Sequence, residues 1–361
     1  MGRPVGERRD GGARVAGLTG IEASAVWRER RVLVTGATGM VGSWLVKALI
    51  QAEAYVVAFV LDPDPQSELY RSGDIDRISV ISGTLEDLRT VERAIVLHDV
   101  DTVFHLGAQT IVGVAQAAPL ITFEANIRGT WHVLEACRLH ARSVRRVVVA
   151  SSDKAYGEQQ LPYTEETPLV GRHPYEVSKS CADLLAQCYH HTYGVPVAIA
   201  RCGNIYGGGD LNWSRIVPGT IRDLLRGSRP VIRSDGTFLR DYIYVRDAVI
   251  AYTRLADAID CAGIAGQAFN FGDETPRSVL EIVEIIRRLL CCPSLEPEIR
   301  NEVRGEIRDQ YLSAKKARTE LGWVPLYDLE TGLTETIEWY RAFFGLSTTP
   351  NPLAVGNKQG V

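Results

Sequence analysis

Tyr175 and Lys179, in "HPYEVSKSCADLL", stand four residues apart within a helix-like pattern. That spacing puts both side chains on one helix face, within reach of a common ligand. A phenol ionises near pH 10, so bringing it to about 7 takes roughly 4 kcal/mol of preferential stabilisation of the phenolate. A neighbouring ammonium can supply part of that and make the tyrosine a general base. A second set lies upstream, where the apolar run of "VVVASSDKAYG" (147–157) ends abruptly in Ser151, Ser152, Asp153 and Lys154. These are either catalytic groups held at the carboxyl edge of a sheet, or a strand leaving the core for a solvated loop with an ordinary salt bridge. A Tyr–Lys pair is equally at home on any helix surface. Neither set decides the matter alone.

The elements around these groups are strongly patterned. "RVLVT" (31–35), "YVVAFV" (55–60), "ISVIS" (78–82), "DTVFHL" (101–106), "RRVVVASS" (145–152), "VPVAIAR" (195–201) and "AFNFG" (268–272) read as strands. Helical runs separate most of them, among them "SWLVKALIQA", "PLITFEANIRGTWHVLEACRLH" and "YEVSKSCADLLAQCYHHTYG". This alternation predicts an α/β fold, a Rossmann-type doubly wound parallel sheet covered by helices on both faces. Such sheets bind ligands outside the carboxyl ends of their strands, which is where "VVVASSDK" stops.

Between the first strand and its helix, "TGATGMVG" sets Gly36, Gly39 and Gly42 in a GxxGxxG spacing. The first glycine allows the tight turn, the second close approach of a pyrophosphate, and the third close helix–strand packing. Helix-start N–H groups favour the diphosphate anion, so the loop predicts a dinucleotide. Asp62 follows the second strand, 26 residues after Gly36. A carboxylate there can accept from the adenosine ribose and repel a 2′-phosphate, which favours NAD over NADP. "LDPDP" also reads as a proline-stiffened turn.

After about residue 205 the alternation weakens and glycine, proline and helices dominate. The division expected is an NAD-binding domain of residues 27–205 and 241–272, and a smaller, mostly helical substrate-binding lobe of 206–240 and 273–345. Residues 1–26 read as a flexible leader and 346–361 as a tail. With 45% apolar residues, 23% charged and a formal charge of −4, the chain carries no sign of a nucleic-acid surface. No apolar run approaches the ~20 residues of a membrane helix, and the start lacks a secretory apolar segment. The seven cysteines form no CxxC pair or metal-ligand spacing, so reduced thiols in a cytoplasmic protein without a metal site are expected.

The glycine loop, the strand ending in Ser-Ser-Asp, the YxxxK pair and "LRDYIYVRD" together resemble the extended short-chain dehydrogenase/reductase family acting on nucleotide sugars, over about residues 27 to 345. Within this NAD-dependent epimerase/dehydratase group, the chain looks most like the CDP-glucose 4,6-dehydratase type. "GSWL", "LDPDPQSELY", "HLGAQTIV", "TFEANIRGTWHVLEACR", "SSDKAYG" and "GNIYGGGD" carry that closer match. The resemblance implies oxidation of a sugar at C4 by Tyr175 as base, with Lys179 beside it and Ser152 on the C4 oxygen. Asp153 would then be the acid at C6 and Lys154 the base at C5, where many dehydratases carry Asp-Glu. It also implies NAD contacts from Gly36, Thr38, Gly39, Met40, Val41 and Gly42, from Asp62, Thr84 and Leu85, and from Leu106, Gly107 and Ala108, beside Tyr175 and Lys179.

Substrate contacts are implied for Gln109, Asn204, Val217, Arg240 and Arg304, the arginines suiting diphosphate oxygens. "WSRIVPG" would bring Val217 and Pro218 toward the base. Arg240 beside Asp241 could also be a plain salt bridge. Helices 119–140 and 174–193 usually form a homodimer interface in this family, and a helix covered within the monomer would look the same. Two departures stand out. Arg240-Asp241-Tyr242-Ile243 replaces the Arg-Pro-Trp-Gln usual in the CDP-glucose type, and Thr84 stands where an aspartate usually contacts adenine. A 4-epimerase on the same scaffold is the alternative reading, and a non-catalytic NAD(H)-binding regulator a further one. The epimerase would not need the acid and amine at 153 and 154, and a regulator would be expected to have lost Tyr175 or Lys179.

Overall fold

The computed structural model describes residues 25–302 and 306–346. Its centre is a seven-stranded sheet of β1 (Arg31–Thr35), β2 (Tyr55–Val60), β3 (Ser79–Ser82), β4 (Thr102–His105), β5 (Arg146–Ala150), β6 (Val197–Cys202) and β7 (Ala268–Phe271). The strand order is β7-β6-β5-β4-β1-β2-β3, and every pairing is parallel. All seven runs expected from the sequence are strands, with ends differing by a residue or two. The order reverses between β1 and β4, which opens a crevice at their carboxyl ends.

The inner strands are apolar on both faces because each face meets a helix layer, whereas the edge strand β3 buries only Ile81. Val32, Val34 and Val148 pack with Leu45 and Leu49 of α1 (Met40–Gln51) and with later helices. Leu33, Val147 and Val149 point the other way, onto Val91 and Ile95 of α2 (Leu88–Leu97) and Val133 and Leu134 of α3 (Gly129–Leu139). This is the two-residue period of a strand buried on both sides. Leu33 is fully buried, and truncating such a side chain to alanine costs about 2–5 kcal/mol. α4 (Pro174–Tyr193) adds Ala186 to the second layer and ends at Gly194, whose φ of 69° closes the helix.

A separate apolar cluster joins Ile221 of α5 (Ile216–Leu225), Ile282 and Ile286 of α7 (Val279–Leu289), and Leu333 and Ile337 of α8 (Leu329–Phe343). α6 (Val245–Ala258) packs back on the sheet through Val249 and Leu255. α7 starts in a capping box, with the Glu281 N–H donating to Ser278 Oγ at 3.2 Å and the Ser278 N–H to Glu281 Oε2 at 2.7 Å. Two tryptophans bolt the cluster to the sheet half. Trp44 Nε1 donates to the Gly208 carbonyl at 2.8 Å, and Trp339 Nε1 to Glu68 Oε2 at 2.7 Å. Among the described residues no helix is long and apolar enough to cross a membrane.

Candidate active site

A cleft of about 1190 Å³ runs from the carboxyl ends of β1, β4, β5 and β6 to the α5–α7 cluster. At its floor, β1 turns through Gly36 at φ 69°, where a Cβ would stand 2.8 Å from Gly107 N. Only glycine permits that approach of the β1 and β4 loops. At Gly42 a Cβ would meet the Gly36 carbonyl at 2.1 Å, so the start of α1 lies flat on the turn. Gly39 caps α1 without a side chain, leaving the first helical N–H groups free for an anion. Thr38, Met40, Val41, Thr84, Leu85, Leu106, Ala108 and Gln109 line the same cleft. Asp62 does not: β2 ends at Val60, and the following bend leaves Leu61 on the cleft wall and Asp62 exposed beside it.

β5 delivers the second group. Ser152 caps a short 3₁₀ turn, Asp153–Tyr156, and its Oγ accepts from Lys154 N at 3.2 Å and donates to Asp153 Oδ1 at 3.0 Å. Lys154 Nζ lies 3.2 Å from both Asp153 oxygens and 3.3 Å from Asn204 Oδ1. The salt bridge weighed above is therefore formed. It also buries Asp153, which is 1% exposed and absent from the cleft wall, whereas Ser152, Lys154 and Asn204 line it.

α4 brings Tyr175 and Lys179 to the same place, both lining the cleft. Lys179 Nζ donates to the Ala150 carbonyl, the last residue of β5, at 2.8 Å. Burial lowers this lysine to about 8. Burial also pushes the Tyr175 phenol up to about 12, an effect reinforced by Asp153 and opposed by Arg215 and a Ser152 hydrogen bond. Both shifts favour the uncharged forms, so a phenolate here depends on added positive charge. Near by, Ser151 Oγ is buried without a partner among the described residues and faces the cleft. An unpaired buried hydroxyl in the cleft that also holds the glycine turn fits a site completed by a polar cofactor.

Several further residues that shape the site carry little signal in the sequence. Asn126 sits in a π-turn, Glu124–Arg128, between the short helix Pro119–Phe123 and α3. Its side chain accepts from Gln109 N at 2.7 Å and donates to the Gln109 carbonyl at 3.0 Å and to Ser178 Oγ at 2.9 Å. Ser178 in turn donates to the Tyr175 carbonyl at 2.7 Å, so this one amide ties the β4 loop to α4. Under the 3₁₀ turn, Arg201 pairs with Asp183 at 2.8 Å and 2.9 Å and donates to the Tyr156 hydroxyl at 2.8 Å. At the far wall Arg215 is bound to Asp210 at 3.0 Å. Polar residues on an otherwise apolar helix face, such as Asn126 and Asp183, are the only sequence clue to these contacts.

Val217, Pro218 and Arg240 line the same cleft. Arg240, though, already donates to Glu306 and to three carbonyls, more bonds than a neighbour pair with Asp241 would need. Arg304 lies outside the described residues.

Comparison with known proteins gives one consistent group. Residues 33–336 match the family described as GDP-mannose 4,6 dehydratase. The CDP-glucose 4,6-dehydratase of Salmonella typhimurium is 29% identical over 334 residues, covering 88% of this chain and 92% of that protein. Among solved structures, a dTDP-glucose 4,6-dehydratase from Bacillus anthracis in complex with NAD superposes with a TM-score of 0.76 at 28% identity, covering 87% of this chain and 97% of the other. A UDP-glucose 4-epimerase from Thermotoga maritima gives 0.79 at 26% identity, covering 87% and 99%.

Proposed function

The chain belongs to the family described as GDP-mannose 4,6 dehydratase, and on that footing we propose that it turns a nucleoside diphosphate hexose into the 4-keto-6-deoxy sugar, as an NAD-dependent nucleotide-sugar 4,6-dehydratase. The observation that carries this reading is the contact between buried Asp153 and Lys154, which lines the cleft together with Tyr175 and Lys179. Oxidation and reduction at C4, all that an epimerase needs, would use the tyrosine and lysine alone. Loss of water needs a further acid and a further base.

NAD, when bound, would supply a hydride acceptor for C4, a hydride donor for C6 and a positive ring favouring the phenolate. The rest falls to the protein. Gly36, Gly39 and Gly42 give the diphosphate room, and Ser151 offers its free hydroxyl. Ser152 orients the C4 hydroxyl and Tyr175 takes its proton. A carbonyl at C4 makes the C5 proton acidic; Lys154 removes it, Asp153 protonates the C6 hydroxyl, which leaves as water, and Lys154 returns the proton to C5 when C6 is reduced. Moving one proton across the 3.2 Å contact turns ammonium and carboxylate into the free amine and neutral acid that this step uses. Lys154 must come off Asp153 to reach C5, and the same movement uncovers Asp153 to C6.

Arg215, Asn204 and Arg240 hold the diphosphate, with Val217 and Pro218 toward the base. The relatives named above act, by name, on pyrimidine-nucleotide glucoses, and we assign a substrate of that class. We further assign a cytoplasmic homodimer, on the strength of seven free cysteines and of the exposed Trp131 on α3, Leu184 and Tyr193 on α4, and Leu120 and Ile121 on the short helix Pro119–Phe123.

Incubation with NAD and CDP-glucose, dTDP-glucose, UDP-glucose or GDP-mannose tests the reading. A product lighter by one water and absorbing in alkali is expected. An isomer of unchanged mass would instead establish epimerisation. Tyr175→Phe should retain NAD binding and lose turnover.

A further inference from the structure

Arg240 closes the two-residue strand Leu239–Arg240, and its side chain is only 5% exposed. A guanidinium so placed needs acceptors or counter-charge close at hand. Nη1 donates to the carbonyls of Leu239 at 2.8 Å and Arg308 at 2.7 Å. Nη2 donates to the Ile307 carbonyl at 2.8 Å and to Glu306 Oε1 at 2.6 Å. Of these four acceptors Glu306 alone is charged. Its side chain is 50% exposed, and it lines the same cleft.

We propose that Glu306 competes with the substrate's diphosphate for Arg240, an internal anion that sets how tightly the nucleotide sugar is held. This rests on the reading above that a diphosphate reaches Arg240. The three carbonyls fix the plane of the guanidinium, so Nη2 can change partners without Arg240 leaving its place. Glu306 is the partner most easily given up, because a half-exposed carboxylate regains its hydration when the pair opens. Were it to stay, its charge would repel the incoming phosphates. Either way, the carboxylate opposes binding.

Glu306→Gln keeps an oxygen for Arg240 and removes the charge. Titration calorimetry with CDP, dTDP and UDP should show about three- to ten-fold tighter binding to the variant. The gain should shrink as salt is raised, since an exposed charge is screened. The KM for the sugar nucleotide turned over should fall in parallel. Glu306→Ala should tighten binding as well, which separates loss of charge from any property of the new amide. Unchanged or weaker binding by both variants would overturn the proposal, weaker binding meaning that the carboxylate receives a ligand hydroxyl instead. Failure of every diphosphate to bind the unaltered protein is a different result: it would remove the reading of the cleft, and this proposal with it.

Discussion

Replacing Lys179 by methionine should make the protein more stable and much less active. Burial lowers the lysine from 10.5 to about 8, so at pH 7 the folded chain carries an ammonium at a cost of roughly 3 kcal/mol. Methionine fills similar space without charge but leaves the Ala150 carbonyl, now 2.8 Å from Nζ, without its donor, a loss of about 1–2 kcal/mol. The net gain is about 1–2 kcal/mol, a rise in Tm of roughly 2–6 °C. The sign reverses with pH in a defined window. Between 8 and 10.5 the unfolded chain binds a proton that the folded one does not, so the lysine protein gains on the variant through that range. Activity moves the other way. A charge about 6 Å from the phenolate at an effective dielectric of 20 is worth roughly 3 kcal/mol, or about 100-fold in the fraction of active base. Thermal melts from pH 6 to 10.5, beside turnover, measure both. A variant less stable at pH 7, or a stability difference that stays flat across the window, would refute the account of a charged lysine held at a cost for catalysis.

Arg201→Met should lose about 3–5 kcal/mol, because Asp183 is 0% exposed and would keep an unpaired charge. Adding Asp183→Asn should recover most of it; a denaturant midpoint for Arg201→Met within about 1 kcal/mol of the unaltered protein would contradict the pairing. Gly42→Ala drives a methyl into the Gly36 carbonyl and should weaken NAD binding at least ten-fold, read by fluorescence titration. An unchanged affinity would mean that this turn is not the diphosphate cradle.

The sheet was readable because apolar strands alternate with helical runs over most of the chain from residue 31 to about 205. The Tyr175–Lys179 pair was readable because helical spacing alone brings the two together. What escaped depends on distant partners. Asn126 acts on Gln109 and Ser178 across separations of 17 and 52 residues, and only because a π-turn rotates it onto that face. Asp153 and Asp62 show the limit from the other side. Their places in the chain are as expected, yet the Lys154 contact buries one, and the bend after β2 leaves the other in solvent. A residue's element follows from local pattern, whereas its exposure depends on contacts that pattern does not encode.

That limit bears directly on how one scaffold separates two reactions. An epimerase and a dehydratase share the glycine turn, the sheet and the tyrosine–lysine pair, since both begin by removing hydride from C4. They diverge only in what stands over C5 and C6. In the reading proposed above that position falls to the 3₁₀ turn after β5, whose backbone is held by the Ser152 cap and backed by the buried Arg201–Tyr156 contact. Surface loops tolerate the loss of a charged pair, whereas this turn holds a carboxyl that is 1% exposed and an amine bonded to both its oxygens. A bare ion pair so deeply placed is at best neutral for stability. In the reading proposed above, elimination gives the pair a use, since it consumes one proton from the pair's acid and delivers one to its base.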